Sequence, residues 1–351
     1  MLIKTDDYPF ERIPAPLLAW YDKEKRDLAW RKNADPYRVW VSEIMLQQTR
    51  VEAVKEYYDR FMTALPTVED LAAVEEEKLL KLWEGLGYYS RARNLQKAAK
   101  EVVARGGFPS DPKELANLPG IGGYTAGAIA SIAFYKRAPA VDGNVFRVIS
   151  RLTENPTPIN EPKYKAYLEE KLKEIYPEEG VRCSDFTQSL MELGALVCKP
   201  LSPLCESCPL SGICRAKKRG TQSKFPVLPE KKEKRKEELF VFLLVDDEGV
   251  YIEKRKTGLL KGMYGFPTSL RGEKSAEETL KEWGVYEFTK KKAKKFTHIF
   301  THVRWDMECL LCEVNNAPFE KVSYQTLETE ISLPTAFKQC LGMIEEKINK
   351  E

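Results

Sequence analysis

A proline and three glycines crowd residues 119–123 in the stretch Leu118-Pro119-Gly120-Ile121-Gly122-Gly123-Tyr124-Thr125-Ala126, between two segments that read as helix. Upstream, Asp111-Pro112-Lys113-Glu114 has the pattern of an N-cap followed by proline at the first helical position. Downstream, Ala126, Ile129, Ile132 and Ala133 recur at helical spacing. A chain punctuated in this way must turn sharply and begin a new helix. Gly-rich backbone at a helix N-terminus can bring N–H groups close to a phosphate, and the helix dipole favours the anion. A plain Gly-rich helix connection is the competing reading.

The same helical grammar runs from the start to about residue 217. Asp35-Pro36 caps a helix expected over residues 36–46, with Tyr37, Trp40, Val41 and Ile44 on its stripe. Thr49-Arg50-Val51-Glu52 reads as a capping box for the next helix, which leaves Gln47 and Gln48 at the break between the two. Thr67 and Ser90 read as further helix starts, and Gly106-Gly107 as a stop. The Pro-rich, basic region from Pro200 to Pro229 reads as a linker. Beyond it the period changes. Leu239 to Val245 and Val250 to Ile252 flank the turn Asp246-Asp247-Glu248-Gly249 as a hairpin, and Ser275-Ala276-Glu277-Glu278 caps a helix that Gly284 ends. Residues 296–314 read as two strands and Pro334 to Ile348 as a final helix, so this half is α+β. No internal repeat is present.

With 351 residues, two or three compact units are expected. Hydrophobic residues at 43% and charged residues at 31% describe an ordinary globular chain and exclude wholesale disorder. No apolar run approaches the length of a membrane span, and the N-terminus lacks the pattern of a secretory signal, so a cytoplasmic protein is expected. A net charge of +3 does not by itself indicate nucleic acid. Local basic runs, Arg215 to Lys236 and Lys290 to Lys295, suit either a solvated surface or phosphate contact.

Four of the eight cysteines, Cys198, Cys205, Cys208 and Cys214, fall in the spacing Cys-x6-Cys-x2-Cys-x5-Cys. In a reducing compartment such crowding points to thiolate metal ligands, and four sulfurs suit tetrahedral zinc or a [4Fe–4S] cluster. Zinc sites more often pair two Cys-x2-Cys knuckles, and only one is present. Cys309 and Cys312 are three apart in an expected strand, so they point to opposite faces and read as core residues.

LPGIGGYTA, followed by VDGNVFRV and the four-cysteine motif, resembles the helix-hairpin-helix glycosylase superfamily that includes endonuclease III. Within it, WVSEIMLQQT and GLGYYSRARN resemble the MutY-type adenine DNA glycosylases, over essentially the whole chain. The resemblance implies a multidomain protein: an all-α helix-hairpin-helix glycosylase with an iron–sulfur cluster domain, followed by an α+β Nudix-like domain. The expected boundaries are 1–28 and 136–217 for the cluster domain, 29–135 for a six-helix barrel, 218–233 for a basic linker and 234–351 for the last domain. It further implies a [4Fe–4S] cluster on the four cysteines, and double-stranded DNA with adenine opposite 8-oxoguanine or guanine as substrate. A monomer is expected.

Two carboxylates have contrasting surroundings. Glu43 lies among Trp40, Ile44 and Met45, an apolar setting that raises a carboxyl pKa and suits a proton donor. Asp142 precedes Gly143-Asn144-Val145, where a new helix begins, and as an N-cap it should stay ionised. Cutting an N-glycosidic bond needs both: a proton for the leaving adenine and a negative charge beside the cationic sugar. Taken singly, the Glu reads as a solvated charge and the Asp as a cap; the family motifs make them catalytic candidates. By resemblance Tyr124 and Asn144 line the adenine pocket. Tyr124 stands where endonuclease III-like lyases carry a lysine, so Schiff-base chemistry is not expected there. Gln48 and Thr49, at the break between helices, resemble the segment that fills the gap left by a flipped base, with Tyr88 as neighbour. Arg31 resembles a pocket or backbone contact, and Gly120 and Gly122 the hairpin that holds the DNA backbone.

The C-terminal half resembles a Nudix-like domain, best at Leu259 to Pro267, but Ser275 to Trp283 lacks the Arg-Glu-x2-Glu-Glu magnesium motif. It therefore reads as a recognition module for 8-oxoguanine, with Phe300, Thr301 and His302 matching a family Phe-Ser-His segment. The only two histidines, His298 and His302, would share a face if both lay in one strand. A thymine or uracil mismatch glycosylase, an endonuclease III-like lyase, and a non-enzymatic DNA-damage sensor are the competing readings.

Overall fold

The computed structural model describes residues 5–230 and 233–348. Residues 1–4 of the expected cluster domain, 231–232 of the linker and 349–351 of the last domain lie outside the described residues. Backbone contacts divide the chain into two compact units, residues 5–73 with 93–230, and residues 74–92 with 233–348.

The first unit is helical. It begins with α1 (Pro14–Glu24), α2 (Pro36–Leu46), α3 (Val51–Ala64) and α4 (Val68–Ala73); α5 (Glu76–Leu82) belongs to the second unit, and α6 (Ser90–Ala104) returns to the first. Then follow α7 (Pro112–Leu115), α8 (Gly123–Ile132), α9 (Gly143–Thr153), α10 (Pro162–Ile175), α11 (Val181–Leu196) and α12 (Arg215–Arg219). Side-chain caps set several starts: Asp35 accepts from the Arg38 amide, Asp111 from the Lys113 and Glu114 amides, and Asp142 from the Val145 amide. The capping box expected at Thr49 does not form. Gln48, at φ 60, closes the break in a tight turn, and the Thr49 hydroxyl bonds the Gln47 carbonyl at 3.4 Å. Helix α3 starts one residue later than the motif requires, with Arg50 as an N-cap that makes no side-chain bond.

One core packs the N-terminal segment (Tyr8, Phe10, Ile13, Leu17) against Val145 and Ile149 of α9, Leu168 of α10 and Phe186 of α11. Helix α8 approaches its neighbour so closely that a Cβ on Gly127 would lie 2.2 Å from the Pro139 carbonyl oxygen. The Pro-rich stretch read as a linker is instead tied down as far as Val227. Buried Arg151 donates to the carbonyls of Lys199, Pro200, Gln222 and Phe225, and the Ile159 amide donates to Val227. Arginine supplies the partners that a stretch without periodicity cannot provide for itself. Among the described residues no helix is long and apolar enough to cross a membrane.

The second unit is built on a mixed sheet. Its strands are β1 (Arg235–Val245), β2 (Gly249–Lys254), β3 (Tyr264–Gly265), β4 (Thr268–Leu270), β5 (Phe288–Ile299), β6 (Val303–Val314) and β7 (Glu320–Ser323). The order is β3-β2-β1-β6-β5, with β4 also on β1 and β7 on β2; β1 and β6 run parallel and the other paired strands antiparallel. Helix α13 (Ala276–Glu282), started by the expected Ser275–Glu278 capping box, covers one face; α14 (Tyr324–Thr329) and α15 (Thr335–Leu341) cover the other. Val241 and Leu243 join the core with Tyr324 and Phe337, whereas Phe242 and Leu244 join that with Leu280. Cys309 and Cys312 enter opposite cores, as a two-residue period requires.

Three expectations change here. The final helix breaks at Gly342 into α15 and α16 (Glu345–Ile348). Strand β5 begins at Phe288, not near Phe296, because its lysines conceal the alternation that marks a strand. His302 lies in the turn between β5 and β6, so it does not share a strand face with His298.

Candidate active site

Eight residues of α2, Glu43 among them, are buried because its apolar stripe is wide, and Glu43 is left 6% exposed. Burial raises its carboxyl to about 7, against the opposing hydrogen bond from Tyr124, and the nearby charge of Asp142 adds to the rise. The Tyr124 hydroxyl donates to Glu43 Oε2 from the first turn of α8. The glycine turn thus has a second effect: it sets the position from which Tyr124 reaches the carboxyl. Gly120 itself sits at φ 75, and a Cβ there would meet Asn94 Cβ at 2.7 Å.

Asp142 caps α9 through Oδ1, which accepts from the Val145 amide at 2.7 Å, while Oδ2 accepts from Asn144 Nδ2 at 2.7 Å. The cap is as expected, but the direction of the shift is opposite to the one a cap alone would give. Burial raises the Asp142 carboxyl above its ordinary value and outweighs those hydrogen bonds. Asn144 in turn accepts from Arg147 Nη2 at 2.7 Å, and the same guanidinium donates to the Gly194 carbonyl and, through Nε, to the Cys198 carbonyl, each at 2.8 Å.

Glu43, Tyr124, Asp142, Asn144, Arg31, Gln48 and Thr49 all line one cleft of about 940 Å³ in the first unit. Glu192 of α11 lines it too, and sequence reasoning missed it. Its carboxylate is 1% exposed and takes Arg26 through Nε and Nη2 and Arg31 through Nη2, all at 2.8 Å. Burial pushes Glu192 up, but the bonds from Arg26 and Arg31 outweigh it and bring the carboxyl down to about 2. The available signal was a lone acid inside the apolar run Leu190-Met191-Glu192-Leu193. Arg31 is therefore fixed as part of the cleft wall. Gln48 is exposed at its left-handed turn.

The remaining candidates lie in the second unit. Tyr88 has φ 46, an uncommon conformation for a bulky residue, and is 46% exposed, with the Arg91 guanidinium 5.5 Å from its ring centroid. Its hydroxyl is 2.7 Å from the Thr301 hydroxyl, which joins two residues 213 apart in sequence. Phe300 packs on His298 and Trp305 at 4.5 and 4.8 Å between centroids, while Thr301 and His302 are exposed at the tip of the turn.

Cys198, Cys205, Cys208 and Cys214 line a second, small cavity in the first unit, walled by Val148, Leu152, Leu193 and Val197. All four are free thiols. Arg151 Nη1 lies 3.4 Å from Cys198 Sγ, and the Lys217 amide 3.4 Å from Cys214 Sγ, so two sulfurs already face donors suited to a thiolate. Among the described residues no three Cys, His, Asp or Glu side chains converge closely enough to hold a single metal ion.

The helical fold that carries this cleft is similar to that of a class of DNA repair proteins. Residues 41–178 match the model of the HhH-GPD superfamily of base excision DNA repair proteins, and residues 240–343 match that of the NUDIX domain. Among solved structures, a thermostable thymine-DNA glycosylase is similar at a TM-score of 0.54 and 31% identity, over 60% of this chain and 97% of that one. Endonuclease III in a non-covalent DNA complex is similar at 0.52 and 27%, over 63% and 100%. Adenine DNA glycosylase of Buchnera aphidicola is 31% identical over 93% of this chain and 92% of its own length. The chain belongs to the adenine DNA glycosylase family. Relatives from Rattus norvegicus (46% identical over 61% of this chain) and Arabidopsis thaliana (38% over 84%) are longer, and the chain spans 43% and 56% of them.

The Glu43 environment makes a prediction that needs no substrate. Its pKa is about 7 in the fold against 4.5 when unperturbed, so the folded state holds the extra proton between these values and stability falls as pH rises through that window. Glu43→Gln removes the titration. The variant's melting temperature, relative to the parent's, should therefore rise from about pH 5 to about pH 8. An unchanged difference would mean that Glu43 titrates like a solvated carboxylate.

Proposed function

We propose that this chain is an adenine DNA glycosylase of base excision repair, which hydrolyses the N-glycosidic bond of adenine paired with 8-oxoguanine or guanine in double-stranded DNA. It acts as a monomer, in the cytoplasm and on the nucleoid. The observation that carries this reading is Glu43, a carboxyl with a pKa of about 7 in a cleft large enough to receive a base. Such a group is still partly protonated near neutrality. It delivers that proton to the departing adenine. Asp142 faces the positive charge that develops on the sugar and stabilises it directly or through a transient adduct, as paired carboxylates do in glycoside hydrolysis. Burial makes ionised Asp142 costly in the free protein, and for the same reason a cation beside it gains more than it would in water.

Tyr124 orients Glu43, and Asn144 orients Asp142. Neither carboxyl can reach a stacked base, so adenine must flip into the cleft. Gln48, exposed on its tight turn beside Thr49, fills the gap, and Tyr88 is assigned the same kind of role. Arg31, fixed by Glu192, walls the pocket. Gly120 and Gly122 present the start of α8 to a phosphate. Phe300, Thr301 and His302 read 8-oxoguanine; the exposure of Thr301 and His302 on a turn braced by aromatic packing supports this.

The four cysteines would hold a [4Fe–4S] cluster, since four thiols that line one apolar-walled cavity can supply a sulfur to each of four irons. When bound, the cluster would cross-link the loop through its iron–thiolate bonds. The cluster domain is assigned 1–28 and 136–217, a division supported by the shared core of the N-terminal segment with α9, α10 and α11. The barrel is assigned 29–135, although residues 74–92 of it cluster with the second unit, and the recognition domain is assigned 234–351 after a connection at 218–233 that is tied to the first unit as far as Val227.

Base release from adenine:8-oxoguanine and adenine:guanine duplexes tests the reading. Glu43→Gln should keep duplex affinity and lose about a hundredfold or more in excision, the usual contribution of a general acid. A variant within about tenfold of the parent would remove Glu43 from the role. Thr301→Ala with His302→Ala should spare excision from adenine:guanine while lowering the preference for 8-oxoguanine about fivefold or more, since each hydrogen bond to a base edge contributes about 1 kcal/mol. An unchanged preference would show that the turn does not read the oxidised base.

A further inference from the structure

The geometry points to one face of β5 as a track for a phosphodiester backbone, leading into the Phe300–His302 turn. This inference rests on the DNA glycosylase reading and gives the second unit a backbone-binding surface of its own.

Among the described residues strand β5 lies at the sheet edge and pairs with β6 alone. Residues directly opposite in an antiparallel pair share a face. Lys292, Lys294, Phe296 and His298 stand opposite Leu311, Cys309, Met307 and Trp305, the side of the sheet that bears the core with Phe337. The bulge between Lys290 and Lys292 separates the remaining lysines from this row: Lys290 and Lys295 stand opposite Cys312 and Glu308, on the other face. One side of the strand therefore reads lysine, lysine, aromatic, imidazole, in line with the turn. Along it Lys294 Nζ lies 5.3 Å from the Phe296 ring centroid, and His298 packs on Phe300 at 4.5 Å.

The charges on this row are not used inside the unit. Lys292 and Lys294 are exposed, their cross-strand neighbours are apolar, and neither has a carboxylate within ion-pair distance among the described residues. Lys291, on the bulge, pairs with Glu313 at 2.8 Å. Lysines on an edge strand also protect against edge-to-edge pairing. Protection alone would not require uncompensated lysines to align on one face with aromatic rings that lead to an exposed turn. Regularly spaced cations beside aromatic surfaces are the chemistry of nucleic-acid backbone contact.

The test is equilibrium binding of the full chain to an undamaged duplex over a range of salt concentrations. Each phosphate contact contributes about 0.9 to the slope of log affinity against log salt. Lys292→Ala with Lys294→Ala should lower the slope by up to about 1.8, so that the parent loses about tenfold more affinity than the variant between about 50 and 200 mM salt. Lys292→Arg with Lys294→Arg should keep the parent slope, which separates charge from packing. Lys290→Ala with Lys295→Ala should also leave it unchanged. A slope unaffected by the first pair, or lowered equally by both alanine pairs, would overturn the assignment to this face. The readout involves no excision, so a parent that binds normally yet releases no adenine would count against the glycosylase reading and leave this one standing.

Discussion

Exclusion of water from Glu43 is the constraint on which the helical unit is organised. A carboxyl with 6% exposure and one polar partner is expensive to ionise, and α2 accepts it only because Trp40, Ile44 and Met45 are needed inside on the same stripe. Tyr124 must then arrive from another element to satisfy the oxygen that burial strips of water, and the glycine turn before α8 delivers it. A polar or flexible residue at any of these positions would let water in and return the carboxyl to its solution behaviour.

The second carboxyl is supported by a longer chain of contacts. Asp142 is held by Asn144, Asn144 by Arg147, and Arg147 by carbonyls at Gly194 and Cys198. Helix α11 thus serves both sites: Glu192 clamps two arginines in the wall of the cleft, and two residues beyond the helix end Cys198 begins the cysteine motif. Arginine suits these junctions because its planar fork donates in several directions while staying charged when half buried. The energetic burden falls on hydrogen-bond geometry, since each buried carbonyl or carboxylate left without its partner would cost about 1–3 kcal/mol.

Local features were legible in the sequence where a residue acts on its immediate neighbours. The bounds of α2, the caps at Asp35, Asp111 and Asp142, the box at Ser275 and the opposite faces of Cys309 and Cys312 all follow from spacing. Motifs likewise gathered Glu43, Tyr124, Asp142 and Asn144 as candidates, and the fold brings them into one cleft. Properties set by tertiary surroundings were not legible. The cap at Asp142 suggested a carboxylate kept ionised, but burial, which spacing does not report, reverses the direction of its shift. Glu192 looked like one acid in a helix until two arginines more than 160 residues away closed on it. The Tyr88–Thr301 contact has no local signature, and the lysines of β5 hid a strand that exists because β6 pairs with it.

In the proposed reaction one buried carboxyl, still partly protonated near neutrality, drives departure of the base. The most direct test of this step is the pH dependence of single-turnover excision from an adenine:8-oxoguanine duplex, with enzyme in excess so that product release does not enter. A general acid works only while protonated, so the rate should be high in mild acid and fall as pH rises through an apparent pKa of about 7, the value that burial gives Glu43. A rate that is flat across that range, or that rises with pH, would contradict the account and require the proton to come from elsewhere.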